Sequence, residues 1–396
     1  MKCKITNKEI TPFMSFGKMP IANGFLRKET FNDEFFFEME VGFSENLSLF
    51  QLNEHPKPEK MFNENYPFFS GSSSQMKDHF RLYSENLKKM FSKTKVKIIE
   101  IGSNDGTMLK NFDKDRYDIL GFEPSKNVSD KANSNGVNSL NQFFNQKNIE
   151  NLRSHLGNTD IIYASNVICH VPDLDDLIKS VDRLLSKNGI FVFEEPYLGS
   201  MFDKISYDQI YDEHIFMFSI SSVKKIFDLY DFEIVDALPQ TTHGGSMRYF
   251  IKRKNQGEIT SNLLTLIEKE KINKIDSIEK CIEFKKNCEL SKAKVKSDLS
   301  KYKNDGKSIC GYAATSKSTT ILNYCDIDYK IIDYICDTTP EKIGKFSPGM
   351  HIPIVDMSHF NNNTTDVAYL FAWNHKHEIF KKEKNYKGKW FSHVSL

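Results

Sequence analysis

No run of this 396-residue chain is long and apolar enough to cross a bilayer, and its first residues, Met1-Lys2-Cys3-Lys4-Ile5-Thr6, lack the apolar core of a secretion signal. A cytoplasmic location without a membrane partner is therefore expected. Net charge is almost absent: 54 basic side chains stand against 53 acidic ones, which argues against a nucleic-acid partner held by bulk charge. Cysteine is sparse and scattered, at 3, 169, 281, 288, 310, 325 and 336. Cys310 and Cys336 end apolar strand-like runs. Buried free thiols in a reducing compartment are expected rather than a disulfide framework. No repeat or low-complexity tract is obvious. The oligomeric state is not legible.

What is present divides the chain. Its length calls for two or three domains. Residues 1–75 are rich in Phe, with strand-like pieces such as Phe35–Val41, and are expected to form a small N-terminal module. Residues 76–256 begin with apolar residues at helical spacing (Met76, Phe80, Tyr83, Leu87, Met90) and then alternate strand and helix. Strands are predicted at 96–102, 118–123, 160–166, 189–195, 232–238 and 247–252. That alternation predicts an α/β fold with a doubly wound, mostly parallel sheet. Residues 257–306, dense in Lys and Glu, read as one or two long solvated helices acting as a connector. Residues 307–396 return to an α/β pattern, with strands at Ser308–Tyr312, Ile331–Cys336 and Val367–Ala372, and predict a C-terminal Rossmann-like domain.

Four segments carry chemistry. Val96–Ile99 runs into Glu100-Ile101-Gly102-Ser103-Asn104-Asp105-Gly106-Thr107, where Gly102 and Gly106 let a ligand approach the backbone and Asp105 stands near a helix start. Either glycine alone would mean only a tight turn. The next strand ends in Glu123, a carboxylate placed to accept from ribose hydroxyls, and Asn166 ends another inner strand. A spaced triple-glycine fingerprint is lacking, which disfavours a nicotinamide cofactor. The second segment, Tyr211-Asp212-Glu213-His214, gathers proton-transfer groups, and His170 lies on the loop after another strand. The third, His243-Gly244-Gly245-Ser246-Met247-Arg248, is a turn whose N–H groups and Arg248 suit an anion or simply open a strand. The fourth, Gly311–Thr320, sets Thr315, Ser316 and Lys317 at a strand-to-helix junction, which suits a phosphate as well as a plain N-cap.

With these segments in order, the chain resembles the S-adenosylmethionine-dependent sugar C-methyltransferases of deoxysugar pathways. The resemblance runs nearly end to end. It is carried by Pro20–Phe25, Tyr66–Ser70, Glu100–Thr107, Gly121–Ser125, Asn166–Asp173, Glu195–Tyr197, Tyr211–Ser219, His243–Arg248, Gly311–Lys317, Asp337–Lys342 and Ala372–Asn374. It implies a central class I methyltransferase domain, an N-terminal zinc module and a C-terminal nucleotide-sugar-binding domain. One feature departs from the pattern. The family's two Cys-x-x-Cys pairs shrink here to Cys3-Lys4-Ile5-Thr6 and Ser44-Glu45-Asn46-Leu47, so no metal is expected.

The resemblance further implies a nucleotide-linked 4-keto-6-deoxysugar as substrate and an enolate mechanism. His214 is then the base, with Tyr211, Glu213 and His170 around it. The methyl donor would be held by Gly102, Asn104, Asp105, Gly106, Glu123 and Asn166. The substrate would meet Tyr66, Glu195, Tyr197, His243, Arg248, Thr315, Ser316 and Lys317. Methylation of a sugar oxygen, or nucleotide-sugar binding without catalysis, are the alternative readings.

Overall fold

The computed structural model describes the whole chain except residues 63, 65, 67, 153–155, 363 and 364. Pro67, part of one family-like stretch, lies outside the described residues. The N-terminal segment forms an antiparallel sheet from β1 (Thr11–Pro20), β2 (Phe36–Ser44) and β3 (Leu49–Leu52). Its inward phenylalanines, among them Phe13, Phe43 and Phe50, are buried.

The central sheet grows around β4 (Val96–Ile101), a β-branched strand buried along nearly its whole length because both faces are covered. Parallel to it run β5 (Tyr117–Phe122) on one side and β7 (Thr159–Ser165) on the other. β6 (Ser139–Leu140) lies beyond β5, and β8 (Leu185–Pro196) lies beyond β7. The remaining two strands, β10 (Phe232–Gln240) and β11 (Ser246–Arg253), are antiparallel, giving the order β10-β11-β8-β7-β4-β5-β6. The short Thr241–Gly245 turn leaves no room for a parallel crossover, so this pair must form a hairpin. The chain winds from β4 outward to β6 and then returns to β7. The carboxyl ends of β4 and β7 are therefore a switch point, where doubly wound sheets bind ligands.

The third sheet is wholly parallel: β12 (Ile309–Tyr312), β13 (Tyr334–Asp337), β14 (Ile354–Asp356), β15 (Val367–Leu370) and β16 (Lys389–Phe391), ordered β14-β13-β12-β15-β16. Its switch point lies between the ends of β12 and β15. One further strand, β9 (Phe216–Met217), leaves the central domain and pairs with β3. It ties the N-terminal sheet to the residues just after His214.

The connector comprises helices at Ser261–Ile272 and Ile278–Asn304. It is less solvated than its charge suggests. Cys281, Phe284, Cys288, Val295 and Leu299 fall at helical spacing and are buried in a core shared with Phe13, Phe16, Ile309 and Ile335. That core takes residues from both terminal domains and also Leu198, Tyr207 and Ile210 of the central one. All seven cysteines are buried and unbridged. Among the described residues, no helix is long and apolar enough to cross a membrane.

Candidate active site

Both switch points open into one cavity of about 770 Å³. Gly102 follows β4 with φ 67°, and a Cβ there would collide with Val167, so glycine is required. Glu123, at the end of β5, accepts the backbone N–H of Asn104 (3.0 Å) and of Ser125 (2.8 Å). Burial nevertheless pushes its carboxyl up. Asn104 is also a clamp. Its side chain accepts from the Ser70 N–H (2.8 Å) and donates to the Phe68 carbonyl (3.2 Å). Across the cleft Asn166 takes φ 55°, and its buried Oδ1 has no protein partner.

At the second edge, His214 Nδ1 lies 2.7 Å from the Gln209 carbonyl oxygen. A carbonyl only accepts, so Nδ1 carries the proton. Nε2 is then the unprotonated nitrogen of the neutral ring and accepts the Tyr211 O–H at 2.7 Å. Burial, and then nearby His170, hold the His214 pKa well below that of free histidine. The His170 ring stacks at 5.3 Å from that of His214, and burial lowers its pKa to about 4. Glu213 Oε1 accepts from Asn23 Nδ2 at 2.6 Å, and Asp212 Oδ1 accepts from the Ala22 N–H at 2.8 Å. Burial raises both carboxyls; repulsion from Glu213 raises Asp212 further, whereas the Asn23 bond and the Lys342 charge pull Glu213 back down.

The third edge is cationic. Thr315 caps the helix Ser316–Tyr324, and Lys317 Nζ reaches Asn374 Oδ1 (3.4 Å) over the Trp373 ring. Lys342 Nζ donates to the Ala314 carbonyl (2.8 Å). Burial lowers the pKa of both lysines. Among the described residues, neither has a carboxylate within ion-pair distance, although Asp208 favours the Lys317 charge, and Asp337 and Glu213 the Lys342 charge, from farther away.

The cavity thus brings together Tyr66, Gly102, Asn104, Glu123, Asn166, His170, Tyr211, Glu213, His214, His243, Thr315, Ser316 and Lys317. Five expected residues do not line it. Asp105 accepts from the Gly71 N–H (3.0 Å) and the Thr107 hydroxyl (2.7 Å), so it holds the loop. Gly106 packs against Val137. Glu195 accepts from the Val167 and Ile168 N–H groups (2.9 and 2.6 Å) and shapes the Asn166–His170 loop from beneath. Tyr197 donates to Glu270 (2.8 Å). Arg248 is not free for an anion. Its guanidinium grips Glu194 twice (3.0 and 2.8 Å) and lies 3.5 Å from the centre of the Tyr83 ring. Asn23, Lys342 and Asn374 line the cavity without having been singled out from the sequence. Each lies in a family-like stretch, and that was the only signal.

Three family models match in succession: a zinc binding domain over residues 3–62, a methyltransferase domain over 75–237 and a C-methyltransferase C-terminal domain over 241–394. Together the three matches span the chain nearly end to end, in an arrangement that supports an S-adenosylmethionine-dependent C-methyltransferase. It is 27% identical over 376 residues to C-methyltransferase NovU of Streptomyces niveus, covering 94% of this chain and 89% of that one. Among solved structures, the plantazolicin methyltransferase BpumL in complex with SAH aligns over 44% of this chain and 82% of its own, at 16% identity and TM-score 0.35. Magnesium protoporphyrin IX methyltransferase of Synechocystis PCC 6803 aligns over 45% and 83%, at 12% identity and TM-score 0.35.

The residues present fit the methyl donor and do not fit the zinc. The glycine turn, the Glu123 carboxylate and the unpartnered Asn166 amide oxygen suit a ribose and an amino-acid moiety. Structural zinc takes four Cys or His ligands. Residues 3–62 hold only Cys3 and His55. Cys3 packs in an apolar cluster with Leu47 and Leu49. Where a metal would tie strands together, the buried Gln51 amide does so: Oε1 accepts from the Lys4 N–H and Nε2 donates to the Lys2 carbonyl, each at 3.0 Å.

Proposed function

We propose that the enzyme methylates the carbon beside the ketone of a nucleotide-linked 4-keto-6-deoxysugar, by way of an enolate. The observation that carries this reading is that one cavity holds a neutral imidazole with an unprotonated Nε2, a donor-type cleft and two lysine ammonium groups that, among the described residues, have no carboxylate within ion-pair distance. A buried, unpaired cation is unfavourable until an anion reaches it. Lys317 and Lys342, with the hydroxyls of Thr315 and Ser316, suit a diphosphate.

His214 Nε2 takes the proton from the carbon next to the ketone. The C–H electron pair moves into a carbon–carbon double bond, and the carbonyl pair moves onto oxygen. Tyr211 is the hydroxyl nearest to that exchange and shares its proton with Nε2. Asn23 and Lys342 steady Glu213, which orients the sugar. Tyr66 and Phe62, the latter 5.6 Å from the His170 ring, close the cavity against water. Bound S-adenosylmethionine supplies an electrophilic methyl group. Gly102, Asn104, Glu123 and Asn166 would hold it.

A panel of nucleotide-linked keto sugars, assayed with isotopically labelled donor and read by NMR of the product, tests the proposal. A new carbon-bound methyl next to the keto carbon supports it. Turnover only of acceptors that lack the nucleotide diphosphate or the ketone would overturn it.

A further inference from the structure

The Tyr207–Gln209 turn precedes the catalytic segment and is gripped by the far end of the chain. Asp208, at 0% exposure, receives the Trp373 Nε1–H on Oδ2 at 2.6 Å. His393, two residues beyond β16 and with a side chain 1% exposed, sets its Nε2 3.1 Å from Asp208 Oδ1. The other ring nitrogen of His393 faces the Tyr369 hydroxyl at 3.3 Å, and its ring packs 5.0 Å from that of Tyr207. The next residue, Gln209, supplies the carbonyl that holds His214 Nδ1–H, and its side-chain amide donates to the His243 carbonyl. Oδ2 of this fully buried carboxylate is hydrogen-bonded to Trp373, and Oδ1, which has no hydrogen-bond partner, faces the His393 ring at ion-pair distance, so two residues of the C-terminal segment seat the backbone that carries it. Removing His393 takes away the group that faces Oδ1 and leaves the Trp373 bond on Oδ2, with Lys317 favouring the charge from farther away.

We propose that His393 is a positioning residue for methyl transfer: through Asp208 it holds the Gln209 carbonyl in place, and so keeps His214 in the tautomer whose Nε2 is unprotonated. This rests on the reading of His214 as the base. The C-terminal domain then does more than bind substrate, because it also sets the protonation pattern of an imidazole in another domain. If the turn relaxed, the Nδ1 bond would weaken and Nε2 could carry the proton instead. A ring in that form cannot take a proton at Nε2.

The test uses the full chain labelled with 15N-histidine, with the His214 signals assigned by their loss in His214→Asn. In the unsubstituted protein His214 should show the neutral form protonated at Nδ1. In His393→Gly it should show a mixture of tautomers. Turnover should fall about tenfold to a hundredfold, the scale of a small misplacement at a reacting centre, with S-adenosylmethionine affinity unchanged. Added imidazole should restore both the tautomer and turnover. His393→Gln is read in the same way should the glycine variant not fold. An unchanged tautomer in a folded variant would overturn the proposal. So would loss of turnover, donor binding and melting temperature together with no response to imidazole. Full turnover in His214→Asn would instead sink the base assignment and leave the tautomer result standing.

Discussion

Asn23 of the N-terminal module donates to Glu213 at 2.6 Å, although the two residues stand 190 positions apart. The same short segment is held elsewhere by Ala22 on Asp212 and by the Thr320 hydroxyl on the Ile210 carbonyl, each at 2.8 Å. The segment Ile210–Glu213 is thus held both by the residues after β1 and by the helix Ser316–Tyr324 that follows β12. Replacing Asn23 with Ala leaves a buried carboxyl without its donor. A loss of about 1–3 kcal/mol in urea unfolding is expected. The Glu213 pKa should rise further, moving the pH dependence of turnover to higher pH. An unchanged pH profile would separate Asn23 from Glu213.

The two kinds of buried cation should behave in opposite ways. Arg248→Met leaves Glu194 buried with only His79 as an ionisable partner, at 2.8 Å, and should cost about 3–5 kcal/mol in chemical denaturation. KM for the acceptor should hardly change, because Arg248 is not in the cavity. Lys317→Met removes a buried charge that burial disfavours and that only Asp208, among the described residues, offsets from a distance. It should preserve or increase stability while raising the acceptor KM by an order of magnitude or more. A stable Arg248→Met enzyme with weakened acceptor binding would restore the anion-site role that the sequence suggested.

Glu195 gives a pH signature. Burial raises its carboxyl to about 7, against bonds from the Val167, Ile168 and Cys169 N–H groups and the Cys169 thiol. Because the folded-state pKa lies above the unfolded one, its contribution to stability is fully present below the unfolded pKa and is lost as pH rises through about 7. Glu195→Gln mimics the protonated form and lacks that loss. Between pH 5 and pH 8, the unfolding free energy from urea titrations should fall more for the unsubstituted protein than for the variant, by up to about 3 kcal/mol. Parallel pH dependence in the two proteins would contradict the assignment.

The N-terminal module should hold no stoichiometric zinc, and a chelator should leave its unfolding unchanged. Gln51→Leu should destabilise it by about 1–3 kcal/mol, since it strands the backbone groups of Lys2 and Lys4. Stoichiometric zinc in metal analysis of the purified protein would overturn this reading.

Much of the architecture was legible because its signals are local. The β-branched run of β4, the glycine turn after it and the acid ending β5 each follow from neighbouring residues. So does the cluster Tyr211–His214. What escaped was long-range pairing. Arg248 looked like an anion ligand because nothing near it in sequence announces Glu194, 54 residues away, as its partner. Glu195 and Tyr197 sit at the end of β8 as expected, but there the chain faces the backbone of another loop and Glu270 instead of the cavity. The charged connector hid an apolar stripe whose spacing is weak against a background of lysine. Asn23 and Lys342 carry no local sign of function, since each acquires its neighbours only when three domains close around Glu213.

The account depends most on the imidazole of His214 acting on an acceptor held beside the methyl donor. The direct measurement pairs turnover of His214→Asn with calorimetric binding of S-adenosylmethionine to the same protein. Turnover should drop by about two to four orders of magnitude, the span of a lost general base, while donor affinity holds. Undiminished methyl transfer by that variant would contradict the central claim.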